Sequence, residues 1–239
     1  MRLRQDGWLE EGGGVRHIPS PRTCALEHGP EAVVWHWTGG PALGPAYAPA
    51  LAQEIATFDR DKDRPASWHF LVAKDGRVFQ SVPTLLGSWH VGMPGYVGGE
   101  PHRLNTGGWQ VQSGRFVPNA NSATIGIELE NSGRLTVVDH GVRCEGYPHH
   151  PIPVERAVHH RDGWFDEFPA AQVAAATELL RALVEHHGLS RSASSAGHCM
   201  YDPTHREDPG PLWLERHLPL ILDAVFPLHA AALSPPALP

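Results

Sequence analysis

Two candidate metal ligands lie ten residues apart in the stretch Ala196–Pro211, with His198 near its start and Asp208 opening the rigid run Asp-Pro-Gly-Pro. Histidine nitrogen and carboxylate oxygen both bind zinc, and a catalytic zinc site usually takes three protein ligands and keeps a fourth position for water. A third ligand must therefore come from elsewhere. The obvious candidate is His36, in the apolar run Ala32–Trp37.

Each of these residues also has a purely structural interpretation. A lone histidine in an apolar strand, such as His36, is usually a packed and hydrogen-bonded core residue. Cys199, beside His198, is better explained as a small buried side chain than as a further ligand. The chain's 3 cysteines form no CxxC pair, which favours free thiols in a reducing compartment over a disulfide framework.

The composition excludes several classes of function. The net charge of −7 and the absence of a basic stripe argue against a general nucleic-acid binder. No segment approaches the ~18 consecutive apolar residues of a membrane span, so no membrane association is expected. The N-terminus lacks the apolar region of a secretory signal, which predicts a cytoplasmic location. The oligomeric state is left open.

The first third of the chain predicts four strands and a helix. A short strand is expected near Val15–Ile18, and a buried strand over Glu31–Trp37 delivers His36 at its C-terminal end. Apolar spacing predicts a helix over Ala46–Arg60. The runs Ser67–Ala73 and Arg77–Val82 flank an Asp-Gly pair, a strong hairpin signal.

The middle of the chain predicts two more strands and a long loop. One strand is expected over Gly87–Gly92, followed by a surface loop over residues 93–120 that could serve as a lid or rim. Clean alternation predicts a strand over Thr124–Glu130. Its glycine, Gly126, indicates close approach of another group to the face that carries Glu128.

The last part predicts a strand over Arg134–Asp139, a polar insertion loop over residues 140–168, and helices over Pro169–His187 and residues 211–226. The insertion contains several histidines in adjacent pairs, a spacing that does not favour a second metal site. No repeat or interdomain linker is present. We therefore expect one domain over residues 31–226, after a lead-in over 1–30 and before a flexible tail over 227–239.

Five motifs then follow one another in an order that resembles the type 2 N-acetylmuramoyl-L-alanine amidases. This family of zinc enzymes also includes phage amidase-lysozymes and peptidoglycan recognition proteins. The motifs are His36 at the end of its strand, Ser67–Gly76, Trp89–Gly92, Asn121–Glu128 and Gly197–Pro211. The opening Gly7-Trp8-Leu9 resembles the branch of cytoplasmic anhydro-muropeptide recycling amidases. The resemblance implies an α/β fold with a mixed central β-sheet flanked by helices, long loop insertions, and a zinc site in a groove at one face of the sheet.

The resemblance also implies roles for single residues. His36, His198 and Asp208 become the ligands of a Zn2+ ion, and Glu128 becomes the general base of amide hydrolysis. Arg206 stands where the family usually has lysine, and is expected to stabilise the oxyanion. The implied substrate contacts are His69, Trp89, His90 and Asn121.

Three positions depart from the family pattern. Arginine at 206 spreads its charge over a planar fork, so its geometry toward one oxygen differs from that of lysine. His205 stands where the recycling branch has arginine, and Trp68 replaces a tyrosine that is catalytic in some phage members.

The expected reaction is hydrolysis of the amide between the lactyl group of N-acetylmuramic acid and L-alanine, in peptidoglycan or muropeptides. Two alternatives stay open from the sequence. One is a recognition module that binds peptidoglycan without cutting it. The other is the same activity used by a phage endolysin or an antibacterial effector. The preference between anhydro-muropeptides and intact sacculus is also open.

Overall fold

A computed structural model describes residues 1–26, 29–42, 46–57, 66–91, 96–97, 100–101, 109–110, 112–114, 116–117, 119–139, 141–201 and 206–227. In chain order the strands are β1 (Val15–His17), β2 (Ala32–Trp37), β3 (Phe70–Val72), β4 (Val78–Gln80), β5 (Tyr96–Val97), β6 (Glu100–Pro101), β7 (Trp109–Gln110), β8 (Phe116–Val117), β9 (Thr124–Leu129), β10 (Arg134–Val138), β11 (Gly141–Cys144), β12 (Tyr147–Ile152), β13 (Ala157–His160), β14 (Gly163–Asp166) and β15 (Ala196–Gly197). The α-helices are α1 (Ala48–Thr57), α2 (Ala170–His187), α3 (His198–Tyr201) and α4 (Leu218–Val225), the last preceded by a π-helical turn over Leu212–His217. None of the helices in the described ranges is long and apolar enough to cross a membrane.

Six strands form a mixed central sheet in the order β1-β4-β3-β9-β2-β15. The hairpin β3–β4 is antiparallel, and every other neighbouring pair in this sheet is parallel. Helices pack against the sheet, so the expected α/β class with a mixed central sheet is confirmed. The predicted hairpin is also confirmed, with shorter strands than the sequence suggested.

Alternation along β2 and β9 divides the sheet into a core face and a site face. Val33, Trp35, Ile125 and Ile127 belong to the main hydrophobic core, which also contains the buried sides of α2 and α4. Successive residues of a strand point to opposite faces. The neighbours of these core residues therefore face the other way, and the register pairs His36 with Glu128 on that second face.

The two longer helices cover opposite faces of the central sheet. Helix α2 buries an apolar stripe that includes Leu180 and Leu183. It ends at Gly188, whose φ of 66° is the left-handed conformation that glycine adopts at a helix C-terminus. Helix α1 packs Ala48 and Ala52 against the other face and leaves the ends of β2 and β9 open.

The first residues of the chain are attached to the edge of the sheet by one buried side chain. Gln80 accepts a hydrogen bond from the Leu9 amide at 2.7 Å and donates to the Gly7 carbonyl at 2.8 Å. Strand β1 pairs with β4 beside it. The proposed division into a lead-in and a domain starting at residue 31 stays a prediction, and residues 228–239 of the expected tail lie outside the described residues.

The prediction of a polar loop over residues 140–168 is wrong. Together with β10, this segment forms a five-stranded antiparallel sheet in the order β12-β11-β10-β14-β13. A small apolar cluster of Leu135, Val142, Cys144 and Ile152 holds it together. Two of the prolines that masked the strand pattern, Pro148 and Pro151, lie in β12, an edge strand, which is where proline is tolerated in a sheet.

The strand expected over Gly87–Gly92 is also not formed in the described residues 87–91, which make only an isolated bridge between Gly87 and Cys24. Side chains take the backbone hydrogen bonds instead: Asn121 Oδ1 accepts from the amides of His90 and Val91 at 2.8 and 2.9 Å. Most of the loop expected over residues 93–120 lies outside the described residues. Its described part contains the two-residue pairs β5–β6 and β7–β8.

Candidate metal centre

His36 enters the site from the end of β2, where the sheet carries it into a partly enclosed groove. Its exposed fraction is only 1%. Because the neighbouring β15 is parallel to β2 and pairs Gly197 with Trp35, the chain that follows β15 starts beside His36. The next residue is His198, the first residue of α3. The sheet register therefore brings two histidines together that are far apart in sequence.

Asp208 is brought to the same place by a turn that closes onto α3. The Cys199 amide donates to the Asp208 carbonyl at 2.9 Å. The Gly210 amide donates to the Glu207 carbonyl at 2.7 Å, and Gly210 has a φ of 76°. A Cβ at Gly210 would lie 2.4 Å from the ring of Trp37, so this turn requires glycine both for its conformation and for space.

The three side chains form a nearly equilateral triangle of donor atoms. His36 Nδ1 lies 3.1 Å from His198 Nδ1 and 3.1 Å from Asp208 Oδ2, and His198 Nδ1 lies 3.0 Å from Asp208 Oδ2. Ligands about 2.0–2.1 Å from a tetrahedral zinc ion lie about 3.3 Å from one another. The spacing, burial and chemistry of this set therefore fit a metal ion.

The proton affinities of these groups suit the same role. Burial first, and then the neighbouring His198, lower the pKa of His36 to about 4. Burial alone would raise the pKa of Asp208, but hydrogen bonds from His198 and His36 outweigh it and hold that pKa below its usual range. At neutral pH His36 is therefore a neutral imidazole and Asp208 a carboxylate, the forms that bind a metal.

Glu128 lies on the same face of the sheet as His36, one strand away. Its side chain is 12% exposed, and its Oε1 lies 3.9 Å from His36 Nδ1. Burial, followed by the charge of Asp208, raises the pKa of Glu128 well above its usual value, and Arg206 opposes that shift. A carboxylate with a raised pKa beside a metal site is suited to taking up and returning a proton near neutral pH.

Arg206 lies at the opening of the site, two residues before Asp208. It is exposed, and it lines both the main groove and a neighbouring cavity of about 260 Å³. Within the described ranges it has no hydrogen-bond or ion-pair partner. Its charge nevertheless acts on His36 and Glu128 by lowering the pKa of both. Since no described residue holds the guanidinium, it is available to an anion in the groove.

The four residues predicted to bind substrate fall in different places. Trp89 and His90 line the groove, although His90 is 8% exposed and lies mostly behind His36. His69 and Asn121 are fully buried. His69 Nδ1 accepts from the Gly126 amide at 3.0 Å, and Asn121 binds the backbone at His90, so both support the chain around the site. Substrate contact by these four residues stays a prediction.

The groove has a volume of about 590 Å³, and the metal-ligand triangle lies in it. One wall comes from α1 and the residue before it, with Tyr47 and Glu54 joined by a hydrogen bond of 3.1 Å. The second sheet adds Tyr147 at the start of β12, against Gly40. None of these wall residues was predicted from the sequence, and the loop predicted over residues 140–168 hid the hairpin that carries Tyr147.

Comparison with known proteins agrees with this geometry. Residues 27–211 match the family profile described as N-acetylmuramoyl-L-alanine amidase. The chain is 25% identical over 219 residues to the 1,6-anhydro-N-acetylmuramyl-L-alanine amidase AmpD of Escherichia coli (strain K12), covering 87% of this chain and 91% of the relative. It is 24% identical to AmpD of Citrobacter freundii, with 87% and 89% covered. The fold is similar to that of a selenomethionine derivative of AmpD, with a TM-score of 0.56 and 22% identity over 92% of this chain and 99% of the other.

Proposed function

The chain belongs to the N-acetylmuramoyl-L-alanine amidase family, and we propose that it uses one zinc ion to hydrolyse the amide bond between the lactyl group of N-acetylmuramic acid and the L-alanine of the stem peptide. His36, His198 and Asp208 would hold the ion. The observation that carries this proposal is the triangle of their donor atoms, 3.0–3.1 Å on each side, with the carboxylate of Glu128 next to it.

The zinc ion, when bound, would lower the pKa of water toward neutrality and polarise the scissile carbonyl. The chain's own residues supply the rest. Glu128, held beside the ligands on the same sheet face, takes a proton from the attacking water and returns one to the leaving amine. Arg206, unpaired within the described part of the chain, places a positive charge where the carbonyl oxygen becomes negative.

The substrate we propose is a soluble muropeptide that carries a 1,6-anhydro-muramyl end. The support is that relatives named for this substrate match the chain over 87% of its length and about nine-tenths of their own. The alternative of a recognition module without activity is less well supported, because Glu128 and the three ligand positions are all present and converge in one groove. The cytoplasmic location expected from the sequence stays a prediction, as does the alternative that an endolysin or an effector uses the same activity.

Two measurements on the purified protein test this function. Elemental analysis should find about one zinc per chain, and chelation should abolish an activity that added zinc restores. Mass spectrometry should detect free stem peptide released from anhydro-muropeptides faster than from intact sacculi. A protein that carries no metal and releases no peptide from either substrate would refute the proposal, whereas faster release from sacculi would refute only the substrate preference.

A further inference from the structure

On the side of the His36 ring away from Asp208, a series of hydrogen bonds connects His36 to residues that are not proposed metal ligands. His36 Nε2 lies 2.9 Å from His90 Nδ1, and His90 Nε2 lies 3.0 Å from the hydroxyl oxygen of Thr124. The Thr124 hydroxyl donates to the Ala120 carbonyl at 2.7 Å. His36, His90 and Thr124 are all buried.

Once His36 binds a metal through Nδ1, each polar atom in this series of hydrogen bonds can be only a donor or only an acceptor toward its neighbour in the series. The proton of the His36 ring must then be on Nε2, which donates to His90 Nδ1. The proton of His90 is consequently on its own Nε2 and is donated to the Thr124 oxygen. Since the Thr124 hydroxyl already donates to Ala120, that oxygen is available as an acceptor. The last acceptor is the backbone carbonyl of Ala120, so every donor in the series meets an acceptor.

The surrounding structure leaves space for the His90 ring and fixes its position. A Cβ at Gly126 would lie 2.5 Å from His90 Cγ, so only glycine at this position leaves room for the ring. The backbone of His90 is fixed as well, because its amide donates to Asn121 Oδ1 at 2.8 Å. Asn121 and Ala120 belong to one 3-10 turn, so a single turn holds both the backbone of His90 and, through Thr124, its side chain.

We propose that His90, oriented by Thr124, is a positioning residue of the metal centre, which fixes the His36 ring with Nδ1 directed at the metal. This inference rests on the proposed zinc site and deepens it. Partners that orient a ligating histidine typically contribute 10–100-fold to metal affinity. The effect should therefore appear in the binding of the metal itself and not only in turnover.

The chain contains a matched control for these substitutions. His187 Nε2 lies 2.9 Å from the hydroxyl of Thr84, a second histidine–threonine pair that lines no part of the groove. Thr84, like Thr124, is fully buried. Replacing either threonine with valine removes the same hydroxyl with little change in volume, so Thr84→Val reports the general cost of that change.

The experiment measures the Kd of the full chain for Zn2+ by competition with a chromophoric chelator. We expect the Kd to rise about 10–100-fold for His90→Ala and about tenfold for Thr124→Val, with no change for Thr84→Val. His90→Asn, which keeps an acceptor oxygen close to the position of Nδ1, should lie closer to the unaltered protein than His90→Ala. The visible spectrum of the Co2+-loaded protein should shift in His90→Ala and in Thr124→Val but not in Thr84→Val.

Zinc affinities of His90→Ala and Thr124→Val equal to that of Thr84→Val would overturn the inference. Should His90→Ala not fold, Thr124→Val decides the question by itself. An unaltered protein that binds no zinc at all would refute the proposed function instead, so the two failures are distinguishable.

Discussion

Replacing Glu128 with glutamine tests the proposed proton transfer most directly. Glutamine has nearly the same shape and keeps the packing beside His36, but it cannot accept a proton from water. A positioned general base typically contributes about 10²–10⁴-fold to the rate. The structure indicates where in that range the loss should fall.

No other described carboxylate in the groove can replace Glu128. Asp208 is bonded to both histidines through Oδ2, and Glu54 is bonded to Tyr47 on the wall. Glu128 itself is only 12% exposed, so bulk water has little access to take over its role. We therefore expect kcat to fall at least about 10³-fold, which corresponds to about 4 kcal/mol of activation free energy.

The assay is the release of stem peptide from a muropeptide, followed by mass spectrometry, with zinc content measured on the same samples. Glu128→Gln should keep about one zinc per chain and an unchanged unfolding temperature. Glu185→Gln, the same substitution at an exposed position of α2, is the control and should keep full activity. A kcat for Glu128→Gln within about tenfold of the unaltered protein, with zinc bound, would show that another group transfers the proton.

Three further predictions concern charge and protonation. Arg206→Met should lower kcat about 100-fold, or ~3 kcal/mol, whereas Arg206→Lys should retain most of the rate in steady-state kinetics; equal losses would contradict an oxyanion role. Burial lowers the pKa of His69 to about 4, against 6.5 in the unfolded chain. The contribution of neutral His69 to stability is therefore fully present above pH 6.5 and is lost as the pH falls toward 4. Urea unfolding of the metal-free protein should therefore show at least about 2 kcal/mol less stability at pH 5 than at pH 7, and a flat profile would argue against a neutral buried His69. Asp166→Asn should destabilise the protein by about 3–5 kcal/mol in the same assay, because it leaves Lys74 and Arg156 without their shared carboxylate; a loss below about 1 kcal/mol would mean that these charges find other partners.

The strands that carry the metal ligand and the base could be predicted from sequence because their patterns are local. The run that became β2 is almost continuously apolar, and β9 alternates with a period of two, so both were placed to within a residue or two. The hairpin β3–β4 was predicted from its Asp-Gly turn. The grouping of His36 with His198 and Asp208 came from family resemblance and a shared ligand chemistry, and the structure brings these three together.

Other parts of the site depend on contacts that no local pattern records. The second sheet was missed because prolines and paired histidines hide the alternation of β12, and its strands are stabilised by one another and not by their own propensity. The partnership of His90 with His36 depends on the space left by Gly126 on a different strand. The glycine did indicate close approach to the face of Glu128, but only the fold could identify the approaching group as the ring of His90.

The second sheet leaves the central domain and returns to it at almost the same point. Its first and last strands in sequence are paired, with Arg134 opposite Phe165, and the Ser132 amide donates to the Asp166 carboxylate at 2.8 Å where the segment begins and ends. An insertion whose two ends meet can change in length beyond that junction without moving the strand before it or the helix after it, whereas Phe165 and Arg134 are fixed by their contacts with the main core and with Glu207. The amidase scaffold can thus acquire or exchange an entire wall of its groove, including Tyr147, while the metal ligands keep their places. The wall that carries Tyr147 is therefore built from a segment separate from the two strands that carry His36 and Glu128.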